Sequence, residues 1–142
     1  QAEYDTIKLV KQAVSIPIIA NGDICHPEQA KFVLEYTLAD GIMIGRGALG
    51  QPWIFQQIAN YLQYDKLTPA PDLMQRYQVI RRHLEGLYQL YGEHQGVRIA
   101  RKHLGWYAQH LPQGDDLRKR FNRAQSAEHQ CELIQQFFEP NE

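Results

Sequence analysis

Cysteine, methionine and tryptophan are scarce in this chain of 142 residues, at two copies each. Cys25 and Cys131 stand far apart with no C-x-x-C spacing, so neither a disulfide framework nor a cysteine-based metal site is suggested. Apolar runs are short: none approaches the roughly 20 residues of a membrane helix, and the first residues lack the basic and apolar regions of a signal peptide. A cytoplasmic chain with no membrane contact and no metal is expected, and nothing points to a protein partner. With 44% hydrophobic residues and a net charge of -1, the chain can bury one ordinary core or two small ones. It also lacks an opening Met. Thr6 to Val14 reads as most of a helix feeding straight into a strand, which suggests an excised piece of a longer protein.

What is present divides near residue 65. Before that point short apolar strands alternate with helices: Ile16 to Ala20, a helix from about Pro27 to Tyr36, Gly41 to Ile44, and a helix from about Pro52 to Leu62. Such alternation implies parallel βα units. Thr68-Pro69-Ala70-Pro71 is a linker, because its prolines disfavour helix. After it, Leu73, Tyr77, Ile80, Leu84, Leu87, Tyr88 and Tyr91 recur at helical spacing behind Asp72, a suitable N-cap. Further helices are expected at about 97–110, 115–123 and 126–138, separated by Gly92, Gly96 and Pro112-Gln113-Gly114. The second part reads as a helical bundle.

Two loops carry the chemistry. The stretch IPIIANGDI begins as a buried strand and stops at Asn21-Gly22-Asp23. Asn-Gly is a hairpin signal, but no return strand follows. Pro27 and Glu28 instead suit the start of a helix, so the loop joins a strand to a helix. Loops of that kind lie at the carboxyl end of a parallel sheet, where ligands bind. The next strand ends in Gly45-Arg46-Gly47-Ala48-Leu49-Gly50. Glycines let backbone N–H groups close on a phosphate, a helix start at Pro52 would add partial positive charge, and a guanidinium can hold two phosphate oxygens. The same letters spell G-x-G-x-x-G with Asp65 downstream, but a dinucleotide fold needs a second strand near Asp65 and the proline linker stands there instead. Two βα units with a phosphate loop fit the end of a (β/α)₈ barrel.

On the motifs IPIIANGDI, ADGIMIGRGALGQPWIF, YG and RIARKHLGWY, the chain is similar to the carboxy-terminal part of the tRNA-dihydrouridine synthases, nearest the bacterial B type. The likeness covers nearly the whole chain. It implies the terminal βα units of an FMN-binding TIM barrel over residues 1–65 and a helical tRNA-binding domain over 66–142, in an enzyme that reduces uridine in tRNA to 5,6-dihydrouridine with NADPH as reductant. It places Asn21, Gly22 and Asp23 along the FMN and gives Gly45 and Arg46 its phosphate. The segments that hold the family's catalytic cysteine and its lysine near the flavin ring have no counterpart here, so no catalytic residue is assigned and the chain alone is expected to be inactive. Cys25 does not match the position of the family's acid, and Cys131 shares an apolar helical face with Ala127, Ile134 and Phe138.

The helical part carries a second signal. Residues 97–123 hold seven Lys or Arg against Asp115 and Asp116, a local charge of +5. Val97, Ala100, Leu104, Ala108 and Leu111 form an apolar stripe, and Arg98, Arg101, Lys102, Gly105 and Gln109 form another, with the run Arg118-Lys119-Arg120 nearby. A solvated helix face is the plain alternative. The Gly105 gap and neighbouring rings turn the reading toward RNA phosphates, held by Arg98, Arg101 and Lys102. Trp53 and Phe55 read as packing, and Trp106 and Tyr107 as packing or contact. Two rival functions remain: a small-molecule FMN- or phosphate-binding barrel oxidoreductase, which has no use for the basic helices, and a non-enzymatic RNA-binding module, which leaves both loops unexplained.

Overall fold

The computed structural model of the chain describes residues 2–139, which form two compact units meeting at Ala70 and Pro71. The first contains α1 (Asp5–Ala13), β1 (Ile19–Asn21), α2 (Pro27–Thr37), β2 (Gly41–Met43), a single 3₁₀ turn (Arg46–Ala48) and α3 (Ile54–Tyr64). β1 and β2 are parallel, with Ile19 opposite Gly41, Ala20 opposite Ile42 and Asn21 opposite Met43. A parallel pair puts both strand ends at one edge, so the loops after Asn21 and after Met43 emerge side by side.

Three details differ from the sequence expectation. β1 starts at Ile19 rather than Ile16, because the Ile18 N–H donates to the Asp40 carboxylate at 2.7 Å, where Lys11 also binds. That strand is not wholly buried: Ala20 is sealed, whereas Ile16 and Ile19 are 64% and 59% exposed. Helices cover one face of a sheet of only two strands, and the other face, bearing Ile19, Asn21 and Met43, is open. The helix expected at Pro52 starts at Ile54, behind the turn. Asp65, the residue a dinucleotide fold would need, takes a left-handed conformation closing α3 and pairs with Lys31 at 2.7 Å. The core gathers Ala20, Ile24, Ala30, Val33, Ile54 and Ile58, with Tyr4, Ile7 and Ile42 packed against it.

The second unit contains α4 (Leu73–Ala108), α5 (Gly114–Arg123) and α6 (Ala127–Phe138). Asp72 caps α4 through a capping box: its carboxylate accepts from the Gln75 N–H at 2.8 Å, while the Gln75 side chain accepts from the Asp72 N–H. α4 is two limbs. Gly92 sits at φ 72, ψ 169, which breaks the helical ladder and folds the chain back. Arg76 therefore donates to the His110 carbonyl and His83 meets the Tyr107 hydroxyl at 2.9 Å. Gly96, expected to separate helices, lies inside the second limb; a Cβ there would stand 3.0 Å from the Tyr88 Cα, so it serves close approach of the limbs. Val97, Ala100, Leu104, Ala108 and Leu111 are all buried as the stripe requires, with Leu117, Phe121 and Ile134 completing the core. Gln130 is buried but satisfied, donating to the Val97 carbonyl and accepting from the Tyr88 hydroxyl.

Candidate functional site

The parallel register brings the two sequence-expected loops together. Asn21, Gly22, Asp23, Ile24, Cys25, Met43, Gly45, Arg46 and Gly47 line one cleft of about 510 Å³ at the carboxyl edge of the strands. The Asn21 amide donates to the Met43 carbonyl at 2.9 Å, tying one loop to the other strand and leaving the amide oxygen as an acceptor. Gly22 lies at φ 146, and a Cβ there would come within 2.5 Å of Ala2. The Tyr4 hydroxyl donates to the Gly22 carbonyl at 2.6 Å; burial and then the nearby Asp23 charge push that hydroxyl's pKa up, which keeps it a donor. Asp23 takes a left-handed backbone, accepts from the Ala2 N–H and faces the Arg46 guanidinium at 3.7 Å.

Beyond that pair Arg46 projects toward solvent. Its side chain is 91% exposed, and a Cβ at Gly45 would meet nothing within 4 Å, so the backbone there is open to a ligand. Gly47 closes the other side: the two loops touch so tightly that its position admits no side chain. The helix N-terminus expected behind this loop is replaced by the 3₁₀ turn, so positive character comes from Arg46 and loop N–H groups rather than from α3. These features fit the phosphate and hydroxylated chain of a flavin mononucleotide: a guanidinium and open glycine backbone for the phosphate, an amide oxygen and a carboxylate as acceptors for hydroxyls.

In the second unit the three basic candidates fare differently. Arg98 and Lys102 are exposed and make no ion pair among the described residues. Arg101 is half-buried; one guanidinium nitrogen donates to the Ala124 carbonyl at 3.0 Å and its buried Nε has no partner. Arg101 thus holds the end of α5 as well as carrying charge. Arg101 and Lys102 line a cleft of about 650 Å³ with Gly105, Trp106, Gln109, Asp115, Arg118 and Asn122, and Arg98 lies outside it. Arg118 and Lys119 both pair with Asp115, whose carboxyl they hold below the usual range, which offsets part of the local charge.

Residues 1–141 match the family model for dihydrouridine synthases. The chain belongs to this family. It is 50% identical over 138 residues to tRNA-dihydrouridine synthase B of Pseudomonas putida, covering 97% of this chain and 41% of that protein. Against the synthase B of Shewanella oneidensis identity is 53% over 141 residues, covering 97% and 42%, and against that of Vibrio vulnificus 50% over 139 residues, covering 98% and 43%. The chain thus spans about two fifths of the length of the curated relatives it matches. Among the described residues no helix is long and apolar enough to cross a membrane, and no group of three or more ligating side chains could hold a metal.

Within this dihydrouridine synthase family chain, sequence reasoning missed one cluster and misjudged one ring. Phe55, expected to pack, is 52% exposed. His83 meets His103 with ring centroids 4.5 Å apart, and His103 meets Trp106 edge-on at 5.2 Å. The available signal was the position of His83 beside the Ile80, Leu84 and Leu87 stripe; its partner lies across the Gly92 fold. Burial lowers the pKa of both imidazoles from 6.5, with the His83 ring a second cause at His103, so the fold favours their neutral forms. The unfolded chain then binds more protons below about pH 6.5. Stability of the second unit is expected to be complete above that pH and to fall on acidification toward pH 5. Denaturant midpoints measured across pH 5–8 check this; His83→Gln/His103→Gln should flatten the dependence, and an equally steep curve would contradict it.

Proposed function

We propose that this chain supplies the last two βα units of the (β/α)₈ barrel (residues 1–65) and the helical tRNA-binding domain (66–142) of an FMN-dependent tRNA-dihydrouridine synthase acting in the cytoplasm. The observation that carries the reading is the convergence of the Asn21–Asp23 and Gly45–Gly47 loops on one cleft, in a chain half identical to such synthases. Arg46 and the backbone at Gly45 would hold the FMN phosphate, while Asn21, Gly22 and Asp23 would lie along the rest of the cofactor. Flavin held there would supply hydride chemistry toward the C5–C6 double bond of uracil, with NADPH as the reductant of the flavin. The residues here bind and orient; none is assigned a proton transfer. The open face of β1 and β2, with Ile19 and Met43 more than half exposed, is the side that the other strands of a closed barrel would enclose. Two strands cannot close a barrel, so the chain alone should not reduce uridine.

Arg98 and Lys102 would meet tRNA backbone, with Arg101 bracing α5 beside them. In a full-length synthase carrying this segment, Arg46→Ala is expected to weaken FMN binding by about 1.5–3 kcal/mol, the range for a charged hydrogen bond. Arg98→Ala should leave flavin content unchanged and reduce the slope of log affinity for tRNA against log salt by about 1. Flavin titration and tRNA binding between 50 and 200 mM salt, conditions over which counterion release is large, measure both. Equal flavin affinity in the two variants would remove the phosphate assignment. Unchanged salt slopes for Arg98→Ala and Lys102→Ala would place the RNA contact elsewhere.

A further inference from the structure

The cleft between the end of α4 and α5 has a composition that phosphate contact does not explain. A phosphate asks for donors and positive charge. Arg101, Lys102 and Arg118 offer these, but the same walls carry the indole of Trp106, the amides of Gln109 and Asn122, and the carboxylate of Asp115. Asp115 offsets part of that positive charge, and the indole of Trp106 offers a phosphate only its single N–H, the rest of the ring being apolar. A nucleobase wants the opposite mixture: an aromatic face for stacking, with donors and acceptors around its edge. Arg118 and Asp115, joined at 2.7 Å, present both kinds of group side by side.

The cleft is also built in advance. Trp106 is half-buried and braced edge-on by His103, which His83 backs in turn. A ring already held loses little freedom when a ligand stacks on it. Beside it Gly105 leaves the floor bare: a Cβ there would meet only the Arg118 Cδ, at 3.8 Å. The space exists because a side chain is missing, not because a neighbour fills it, and about 650 Å³ is ample for a base and its ribose.

We propose that this cleft is a subsite for one unstacked nucleobase of RNA, stacked on Trp106 over Gly105, with Lys102 on an adjoining phosphate. The inference rests on the RNA-binding reading of the helical unit and deepens it, assigning a base where that reading assigned only backbone. The test uses the whole chain with Trp53→Phe, so that indole fluorescence reports Trp106. Two probes are titrated: a single-stranded RNA octamer, and an abasic ribose-phosphate octamer with the same charge. Expected are quenching by the RNA alone and affinity about tenfold tighter than for the abasic chain, within the range that one stacked base supplies. Gly105→Leu, which fills the floor and favours helix, should abolish the quenching and that tenfold difference while leaving the salt slope unchanged. Equal affinity for both probes without quenching would overturn the base subsite and leave the phosphate reading standing. Binding of neither probe would overturn both, and retention of quenching and of the difference in Gly105→Leu would overturn the placement in this cleft.

Discussion

Phe121→Ala is expected to lower the stability of the helical unit by about 3–5 kcal/mol, the usual cost of truncating a buried aromatic ring. Phe121 is 0% exposed on α5, which packs against both α4 and α6. A unit of this size commonly has only about 4–10 kcal/mol of total stability, so the variant should sit close to unfolding. Each kcal/mol shifts the melting temperature of a small domain by about 4–8 °C, which puts the expected fall at 12 °C or more. Thermal unfolding followed by helical circular dichroism measures it, with Leu90→Ala, at a site 74% exposed, as the control. A fall no larger than the control's would show that α5 is not part of the core. RNA affinity should fall along with stability, since α5 carries Arg118 and Asn122 of the cleft and leads into the Ala124 carbonyl that holds Arg101.

Gly47→Ala should disable the other site. A Cβ at Gly47 would lie 2.1 Å from the Ile24 carbonyl oxygen and 3.3 Å from the Cys25 Cα. Both are backbone atoms, which cannot swing aside as a side chain can. One loop must therefore shift by nearly 1 Å, at a cost of about 1–3 kcal/mol for overpacking of this kind. The shift separates Gly45 and Arg46 from Asn21 and Asp23, so flavin affinity in a full-length synthase should fall at least about tenfold, although no proposed contact residue has been replaced. Gly45→Ala is the informative comparison, because a Cβ there meets nothing; its stability should be near that of the unaltered protein. Flavin retention by Gly47→Ala equal to the unaltered protein would show that the two loops need not touch for the cofactor to bind.

Much of this was legible in the chain because its causes are local. Pro27 at a helix start, the N-cap at Asp72, the helix break at Gly92 and the apolar stripe from Val97 to Leu111 each depend on residues a few positions apart. The loops ending β1 and β2 were readable for the same reason, since a strand that stops at Asn-Gly-Asp before a proline has few ways to continue. Strand limits were less legible. Ile18 is lost to β1 through the carboxylate of Asp40, 22 residues away, and no local pattern announces that.

The sequence by itself determined which segments are helix or strand, where the proline linker divides them, and that two polar, glycine-bearing loops follow two successive parallel strands. Tertiary structure alone decided what those pieces do to one another. It joined the loops into one cleft by setting Asn21 opposite Met43, and it made Gly47 intolerant of a side chain through a carbonyl 23 positions earlier. It turned Arg101 from a plain surface charge into the brace of Ala124, and it brought His83 to His103 behind Trp106. The physical reason is range. Dihedral preference, capping and periodicity act within a turn or two of the chain and are written in neighbouring letters, whereas hydrogen bonds and steric exclusion between distant segments exist only once the chain has folded back on itself.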